Sequence, residues 1–511
     1  MIIRPNRRGF LATTGAAVGT LAFLGPRQLR AQEGDTLRFA LSTYPPSFDA
    51  WASSGTAAGT IKLMMHRGLL SFDAGGVMRG ELAESWEVDD EGAWIFRLRE
   101  GVTWHDGSPV TAEDIAWNVT EAQKPDSAAF LQGQLALITA VETPDARTVR
   151  MITAEPLAVL PNWFAHYNMP MIKKDEARDT TLGAGPFTLE ETDRGVSLSL
   201  RAYDGYYKEG LPKLAGIEAI VYADENLRVA ALEAGDVDLI EYVPWQAMEQ
   251  IETNDALTLD TVDGPFMYLT FNAERAPFDN PLVRRAVAHA IKREDIVAAA
   301  FFERGGALEH LPIAEQSEFY NPDLANSWNY DPEKAMALLA EAGHADGFDC
   351  TMLATAQYGM HQSTAEICQA YLSMIGINVQ LDLPEWSSRV QKGNEGSYDL
   401  AVMGTTADNN DPDGLSNILD GSLPGSFVRS WGMETPEISR LFSEGRATFD
   451  TAERKRIYEE LETTAIETVP IVGLAWRSQG YAMRREVTGF ANMPGQLTFY
   501  SGIMLEEVAL G

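Results

Sequence analysis

Residues 82–114 decide the fold and read LAESWEV at 82–88, WIFRLREGVTWHDG at 94–107 and TAED at 111–114. Large apolar residues alternate with other residues over 94–98, which is typical of a strand with one buried face. The histidine, aspartate and glycine at 105–107 predict a turn. Thr111 is placed to cap the helix that follows, with Asp114 at the reciprocal capping position. The stretch therefore predicts a strand, a turn and a capped helix.

Further along the chain, strand-like and helix-like segments alternate. Residues 348–353, 363–375 and 378–383 predict a strand, a helix and a strand, and 398–403 predict a further strand. Alternation of this kind implies a largely parallel sheet with helices on both faces. Ligands of such sheets bind beyond the carboxyl ends of the strands, which points to the loop at 404–414.

Two longer helices are also predicted. One is expected over residues 56–70, after the first strand at 37–41. The other is expected to run from Pro281 to about Phe302, because Asn280 and Pro281 form a cap and first-turn pair.

The chain opens with NRRGFL at 6–11, an arginine pair ahead of a mildly apolar run from Phe10 to Gly25. That run is shorter than the roughly 20 apolar residues of a membrane span. A basic start, a short apolar middle and a small-residue exit are typical of an export signal. The arginine pair resembles the twin-arginine type, so residues 1–31 are expected to be a signal peptide and the mature protein periplasmic. The alternative is a disordered basic tail.

Composition limits the classes of protein that the chain can belong to. The 511 residues include 40 basic and 74 acidic side chains, for a net charge of −34. The roughly 480 residues after the signal are too many for one core, so two or three domains are expected. An apolar content of 45% is ordinary for a globular protein. So acidic a chain repels phosphate backbones, and nucleic acid is not expected as a partner.

No catalytic or metal motif stands out in the sequence. There is no phosphate-binding loop, no His-Glu-x-x-His and no nucleophile elbow, and the seven histidines are scattered singly. Asp408, Asp411 and Asp413 alternate as in some calcium loops, but the terminal glutamate of that pattern is missing. No cofactor, no metal site and no enzymatic activity are therefore expected.

The two cysteines, Cys350 and Cys368, leave two possibilities open. In an oxidising compartment they could form a disulfide. They could equally remain two free, buried thiols. Their spacing does not fit a zinc site.

Several segments together resemble the signature of family 5 solute-binding proteins, the extracytoplasmic receptors of peptide-type and nickel-type ABC importers. Beside the 82–114 stretch, the resemblance rests on GPF at 185–187, AGDVD at 234–238, NAERAPFDNPLVRRA at 272–286 and YDPEKA at 330–335. These segments follow the family's order over nearly all of the chain after the signal.

The resemblance implies an α/β, bilobal periplasmic-binding-protein fold of type II, similar to cluster C, with an extra domain inserted in lobe I. It implies that ligand is enclosed between the lobes by hinge closure. The implied parts are lobe I at 33–75, 186–275 and 482–511, the inserted domain at 76–185, and lobe II at 276–481.

The resemblance also implies an anchor for the ligand. In peptide-binding relatives, an aspartate in a Gly-Trp-x-x-Asp motif holds the amino group of the ligand. Residues 404–408 read GTTAD here, so that role falls on Asp408. The alternative is that Asp408 only caps a turn. Thr405 replaces the family's tryptophan, so a pocket lined by Thr405 and Thr406 is expected to be more polar or to offer less aromatic surface.

Further pocket residues follow from the same resemblance. Trp386 matches a pocket-lining tryptophan, and Tyr358 matches a tyrosine of the dipeptide receptors. Those receptors hold the ligand carboxylate with an arginine two residues before this tyrosine, but Ala356 stands there, so that bidentate clamp is lost. Tyr44 and Trp51 follow the first strand and could line the lobe I side or merely pack.

The resemblance thus implies a receptor that binds a peptide or a related amine-bearing solute. It would deliver this solute to an ABC permease and its ATPase subunits, as a monomer with only peripheral membrane contact. A nickel or metal-chelate, opine or oligosaccharide receptor of the same fold remains an alternative. A peptide-binding chaperone is the alternative from another class.

Overall fold

The structure is a computed structural model that describes residues 36–52, 55–175, 181–315 and 317–511. The expected signal peptide and its cleavage site lie outside these residues. Within them, no helix has the length and the apolar character needed to cross a membrane.

The described residues form strands β1 to β19, helices α1 to α14 and two 3-10 segments. The strands are β1 (Thr36–Leu41), β2 (Leu70–Phe72), β3 (Met78–Gly80), β4 (Ala83–Val88), β5 (Trp94–Leu98), β6 (Ile138–Asp145), β7 (Thr148–Thr153), β8 (Phe187–Asp193), β9 (Ser197–Ala202), β10 (Gly216–Val221), β11 (Leu239–Ile240), β12 (Leu257–Phe271), β13 (Gly305–Ala307), β14 (Phe348–Leu353), β15 (Ile377–Asp382), β16 (Leu400–Thr405), β17 (Val472–Arg484), β18 (Val487–Thr488) and β19 (Ala509–Leu510). The helices are α1 (Thr56–Met65), α2 (Ala112–Ala122), α3 (Gln132–Leu135), α4 (Leu160–Ala165), α5 (Glu225–Ala234), α6 (Trp245–Glu252), α7 (Pro281–Ala290), α8 (Arg293–Phe301), α9 (Pro332–Glu341), α10 (Gly359–Met374), α11 (Trp386–Asn394), α12 (Ser416–Leu419), α13 (Pro436–Ala447) and α14 (Thr451–Thr468). The 3-10 segments are Pro412–Leu415 and Gly495–Glu506.

One long mixed sheet contains most of these strands, in the order β15-β14-β16-β12-β17-β11-β1-β10-β9-β8, with β13 on β17. The sheet contains two groups of three parallel strands, here called the parallel cores. They are β11-β1-β10 and β15-β14-β16. The other pairings in the sheet are antiparallel. The expectation of a largely parallel sheet is therefore wrong, because the long strands β12 and β17 pair antiparallel and join the two cores.

The two parallel cores of the sheet belong to two different lobes. We use lobe I for β1, α1, β8–β11 and residues 485–511, and lobe II for α7–α14 with β13–β16. Each lobe has its own apolar core, built in lobe I around Phe39 and Ile217 and in lobe II around Val287 and Leu400. This is the mixed α/β, bilobal fold expected from the sequence.

Strands β12 and β17 cross between the lobes. The register of this pair shifts between Asp263 and Phe266, and β12 pairs with β16 of lobe II only from Phe266 onward. A Cβ on Gly264 would lie 1.8 Å from the carbonyl oxygen of Gly495, so only glycine fits at this crossing. We propose that the lobes divide at this irregularity, rather than at 275 and 481.

The inserted domain comprises β4–β7 with α2–α4, and its sheet is antiparallel in the order β4-β5-β7-β6. Residues 82–114 contribute to the core of this domain, since Phe96 and Leu98 are buried there. The expected capping box is present, because Thr111 Oγ1 accepts from Asp114 N while the Asp114 carboxylate accepts from Thr111 N. This stretch therefore supports the fold of the inserted domain.

The expected single helix at 281–302 is wrong, since α7 ends at Ala290 and α8 begins at Arg293. The buried Arg293 side chain explains the break. Its guanidinium donates to the carbonyls of Ala288 and Trp328, at 3.1 and 2.7 Å, and to three more from Ile291, Leu308 and Gly473. The extended backbone at Ile291 places Arg293 where it can satisfy these carbonyls.

The helix expected over 56–70 is also shorter, since α1 ends at Met65 and Leu70–Phe72 forms β2. The chain becomes extended at His66, and Gly185 lies so close that a Cβ on it would be 2.4 Å from the Met65 carbonyl carbon. Packing of the GPF segment against this helix end therefore overrides the helical pattern.

Cys350 and Cys368 are both free and buried. Burial raises the pKa of each thiol to about 12. Of the two possibilities left open by the sequence, the structure shows the pair of free thiols.

Candidate ligand-binding site

Three loops of lobe II follow the carboxyl ends of the parallel strands β14, β15 and β16. They carry Tyr358, Trp386 and Asp408, respectively. The rings of Tyr358 and Trp386 meet edge to face, with their centroids 5.3 Å apart. Strand topology thus brings these three expected residues to the same edge of the sheet.

The loop after β16 is in contact with lobe I. Thr406 Oγ1 donates to Gln496 Oε1 at 2.6 Å, and the backbone N–H of Ala407 donates to the same oxygen at 2.9 Å. The Tyr500 hydroxyl donates to the carbonyl oxygen of Asp408 at 2.7 Å. Thr406 therefore joins lobe II to lobe I through Gln496, and the ligand contact expected for it stays a prediction.

The Asp408 carboxylate lies at this junction and is partly buried. Its Oδ2 accepts a hydrogen bond from Asn417 Nδ2 at 3.0 Å. Burial raises its pKa to about 7, and the neighbouring Asp413 adds to the shift, while the bond from Asn417 opposes it. No cation of the described residues forms an ion pair with it.

The other two acids of this loop are paired. Asp411 lies 2.9 Å from Arg454, and Asp413 lies 2.5 Å from Arg446. Asp411 also caps the 3-10 segment that follows, by accepting from Asp413 N at 3.0 Å. The turn-capping role considered for Asp408 thus belongs to Asp411, and Asp408 remains the loop's unpaired carboxylate.

Two tyrosines flank Asp408. The rings of Tyr167 and Tyr500 meet edge to face with centroids 4.9 Å apart, and His166 stacks on Tyr167 at 4.8 Å. Burial raises the pKa of both phenols, and the Asp408 charge adds to both shifts because it lies close to them. The aromatic surface that the GTTAD loop lacks is thus supplied from outside lobe II.

Tyr242 follows β11 of lobe I. Its backbone has φ 53°, a left-handed conformation that is uncommon for a bulky residue and is associated with functional sites. Its ring stacks on Phe499 with centroids 6.2 Å apart. Burial raises the pKa of Tyr167 and of Tyr358, and Tyr242 lies close enough to add to both shifts.

Glu241, beside Tyr242, is a second buried carboxylate, at the end of β11 in lobe I. Its Oε1 accepts from the backbone N–H and the hydroxyl of Ser42, at 2.8 and 2.7 Å. Its Oε2 has no hydrogen-bond partner among the described residues. Burial raises its pKa, although the two bonds from Ser42 and the charge of Arg228 oppose the shift.

Tyr44, Trp51 and Thr405 differ in their surroundings. Trp51 is 2% exposed, donates to the Pro170 carbonyl at 3.1 Å and lies 6.1 Å from Trp117, which favours the packing role left open for it. Tyr44 is half-buried and packs edge to face on Phe48. Thr405, also half-buried, donates a hydrogen bond to the carbonyl of Thr406 at 3.4 Å, and its role in lining the pocket stays a prediction.

The described residues contain no group of three or more side chains that could hold a metal ion. The alternating aspartates do not converge on one point, because Asp411 and Asp413 are directed to arginines. What the junction offers is an unpaired carboxylate between aromatic rings, where two lobes of a bilobal fold meet.

Comparison with known proteins agrees with this arrangement. Residues 77–427 match the family model of bacterial extracellular solute-binding proteins, family 5, middle region, which is more than half of the chain. The chain belongs to family 5 of the extracellular solute-binding proteins. This solute-binding protein is therefore the substrate-binding component of an ABC importer.

Three relatives illustrate the range of the family. The glutathione-binding protein GsiB of Pectobacterium atrosepticum is 27% identical over 481 residues, covering 90% of this chain and 92% of GsiB. The periplasmic binding protein AgaA of A. tumefaciens R10, solved with agropinic acid, is 38% identical with a TM-score of 0.85, covering 93% and 99% of the two chains. Helicobacter pylori DppA, solved with the peptide STSA, is 22% identical with a TM-score of 0.80, covering 93% and 98%, and shows the fold alone.

Sequence reasoning missed Tyr167, Tyr500, Tyr242 and Glu241 of this solute-binding protein. These residues lie outside the segments that carry the family resemblance. Tyr500 belongs to a 3-10 segment, whose apolar spacing follows neither the helical nor the strand period. Glu241 was the most accessible to prediction, since it directly follows a strand of a parallel core.

Proposed function

We propose that this protein captures an amine-bearing solute between its two lobes and delivers it to an ABC permease with its ATPase subunits. The observation that carries the proposal is the unpaired Asp408 carboxylate at the lobe junction. Burial raises the pKa of this carboxylate to about 7, and Tyr167 and Tyr500 lie close enough for its charge to raise their own pKa values.

An enclosed carboxylate of this kind favours a cationic partner. Leaving a buried charge unpaired is unfavourable, and an ammonium group within hydrogen-bond distance relieves the penalty. The ligand's ammonium would therefore lower the Asp408 pKa and favour the closed arrangement of the lobes. Ligand binding and lobe closure are coupled in this way.

Within this class, an amino acid conjugate of the opine kind is a better candidate than a standard dipeptide. The 38% identity to AgaA over 93% of the chain supports an opine-type acid. Agropinic acid is itself a lactam without a basic amine, so this similarity supports the acidic part of the ligand and not its amine. The loss of the arginine at Ala356 and of the tryptophan at Thr405 disfavours the dipeptide mode. Glutathione, which the more distant GsiB is named for binding, also carries an amine and carboxylates.

The remaining expectations belong to the same proposal. The protein is exported to the periplasm through a twin-arginine-type signal at residues 1–31, acts as a monomer and catalyses no reaction. The nickel alternative is tested by metal analysis of the purified protein. The chaperone alternative fails if one small solute binds tightly with a stoichiometry of one.

The proposal is tested by isothermal titration of wild type and Asp408→Asn with glutathione, mannopinic acid and agropinic acid. The replacement keeps the shape and the bond to Asn417 but removes the charge. Loss of a charged hydrogen bond of about 1.5–3 kcal/mol corresponds to roughly a tenfold to hundredfold weaker affinity for an amine-bearing compound. Asp346→Asn, an exposed position in the same lobe, is the matched control. Unchanged affinity in Asp408→Asn for every compound that binds would refute the anchor.

A further inference from the structure

Two buried arginines, Arg389 of lobe II and Arg477 of the crossing strand β17, have no carboxylate partner among the described residues. Arg389 is 0% and Arg477 is 2% exposed, yet neither forms an ion pair with a described residue. Nε and Nη1 of Arg389 and Nε of Arg477 have no hydrogen-bond partner among the described residues. Buried guanidinium groups are normally paired, so unsatisfied nitrogens on both arginines indicate a missing anion.

Arg477 lies on β17, next to the crossing between the lobes. Its Nη1 is 3.5 Å from the sulfur of Met360, the second residue of α10. Its side chain is therefore directed toward the amino-terminal end of that helix. Because β17 crosses between the lobes, Arg477 is placed at the hinge.

Arg389 lies on α11, the helix that begins at Trp386. Its guanidinium lies 5.6 Å from the ring centroid of Trp386 and 5.5 Å from that of Phe427. Nη2 donates to the carbonyl of Val402 at 2.8 Å and also contacts the sulfur of Met403. The aromatic rings shield the guanidinium from solvent while two of its nitrogens remain unsatisfied.

His361 connects the surroundings of the two arginines, because it follows Met360, which Arg477 contacts, and its ring centroid lies 5.7 Å from that of Trp386, which Arg389 contacts. Burial lowers the pKa of this imidazole to about 3, and both guanidinium groups add to the shift because they lie close to it. The ring is therefore neutral at physiological pH and does not compete with the arginines for an anion. Its distance to the Tyr358 ring, 6.2 Å between centroids, places the cluster directly beside an expected pocket residue.

The amino-terminal end of α10 adds a third attraction for an anion. Tyr358 is the N-cap and gives no side-chain hydrogen bond to the helix, and the first turn contains no acid. A Cβ on Gly359 would meet no atom within 4 Å, so there is open space beside the first helical residue. Unsatisfied N–H groups at a helix start favour negative charge.

We propose that Arg477 and Arg389, together with the amino-terminal end of α10, bind a carboxylate of the transported solute. This inference rests on the proposed receptor function and names the class of solute, a zwitterion with an amine at Asp408 and a carboxylate at the Tyr358 end. In this proposal the two arginines replace the carboxylate-binding arginine of the dipeptide receptors, whose position is Ala356 here.

The test compares acids with their esters. Titrations are carried out on wild type, Arg477→Met, Arg389→Met and Asp408→Asn. The compounds are glutathione, mannopinic acid and their fully esterified forms, in which the amine is kept and the carboxylates are neutral. Wild type is expected to bind at least one free acid ten times or more tightly than its ester. Each arginine variant is expected to lose this preference, while Asp408→Asn weakens acid and ester alike and keeps it. Arg201→Met, in an exposed ion pair of lobe I, is the control that keeps both properties.

Thermal melting of the ligand-free variants separates recognition from a structural role. Removal of an uncompensated buried charge leaves the melting temperature unchanged or raises it, whereas removal of a structural arginine lowers it by several degrees. Equal binding of acid and ester by wild type, or retained acid preference in both arginine variants, would overturn the carboxylate site and leave the Asp408 anchor standing. If neither compound binds wild type, a fall in the ligand-free melting temperature of both variants overturns the site, and an unchanged or higher value supports it.

Discussion

The Tyr500 hydroxyl of lobe I donates a hydrogen bond to the carbonyl of Asp408 in lobe II, at 2.7 Å. The same phenol lies close to the unpaired Asp408 carboxylate, whose charge adds to the raised pKa of Tyr500. A contact that closes the lobes and the anchor for a ligand therefore involve the same two residues. This arrangement connects the position of the lobes to the charge state of the site.

Replacement of Tyr500 by phenylalanine removes the interlobe bond and keeps the ring. A neutral hydrogen bond contributes about 0.5–1.5 kcal/mol, so ligand affinity should fall roughly twofold to tenfold. The loss should appear in the dissociation rate, because the closed lobes open more readily. Stopped-flow fluorescence with a binding compound measures this rate. An unchanged rate would show that the Tyr500 bond does not hold the lobes closed.

Asp408 should make the stability of the ligand-free protein depend on pH. Its pKa is about 7 in the folded protein against an ordinary value of 3.8. Between these values the folded state holds a proton that the unfolded state has lost, so the Asp408 contribution to the free energy of unfolding falls as pH rises from 4 to 7 and then levels off. Urea unfolding at several pH values, with Asp408→Asn as reference, isolates this contribution. Identical pH profiles in both proteins would contradict the raised pKa.

The affinity for an amine-bearing ligand should have the opposite pH dependence. Only the deprotonated Asp408 attracts an ammonium group, so affinity should fall by about a factor of ten per unit below pH 7. Titration calorimetry of wild type between pH 5 and 8 checks this slope. In Asp408→Asn the slope over this range should disappear.

Part of this site was accessible from sequence. Tyr358, Trp386 and Asp408 each follow a strand with a clear pattern, so chain topology alone brings them to the same sheet edge. Tyr167, Tyr242 and Tyr500 come from loops and a 3-10 segment whose contacts are set by tertiary packing. Local patterns carry no information on such contacts.

The fold was predictable to a similar extent. The strands near 348–403 and the capping box at Thr111 follow from local patterns, and the structure has them. The break between α7 and α8 does not, because it depends on Arg293 reaching carbonyls of distant segments. A buried arginine looks the same in sequence as an exposed one, which is also why Arg389 and Arg477 gave no signal.

Gln496 should be the most sensitive contact between the lobes. Its side chain oxygen accepts from Thr406 Oγ1 and from Ala407 N. In Gln496→Ala the buried Ala407 N–H is left unsatisfied, at a cost of about 1–3 kcal/mol to the closed form. Affinity should therefore fall more than in the Tyr500 variant. Small-angle scattering of the ligand-free protein should show a larger radius of gyration, and an unchanged radius would contradict this role.

A buried ionic cluster joins lobe I to the hairpin β2-β3 and should control stability. Arg67 lies 2.6 Å from Glu506 and 3.4 Å from Glu81, and Lys208 lies within 2.9 Å of both acids. Removing one member leaves buried charge uncompensated, so Arg67→Met should lower the free energy of unfolding by about 3–5 kcal/mol. Arg201→Met breaks only an exposed pair with Glu190 and should change it by less than about 1 kcal/mol. Equal effects of the two replacements in urea unfolding would contradict this account.

The central claim is that the lobes enclose an amine-bearing solute at Asp408. A thermal-shift screen of the purified protein tests it most directly, with di- to pentapeptides, opines, amino acid conjugates, N-acetylated counterparts, sugars and nickel. Ligand at 100 times its dissociation constant should add about 2.7 kcal/mol to the free energy of unfolding. We expect a large shift with one class of free-amine compounds and none with their acetylated forms. A shift with only sugars or nickel, or one unaffected by acetylation, would contradict the claim.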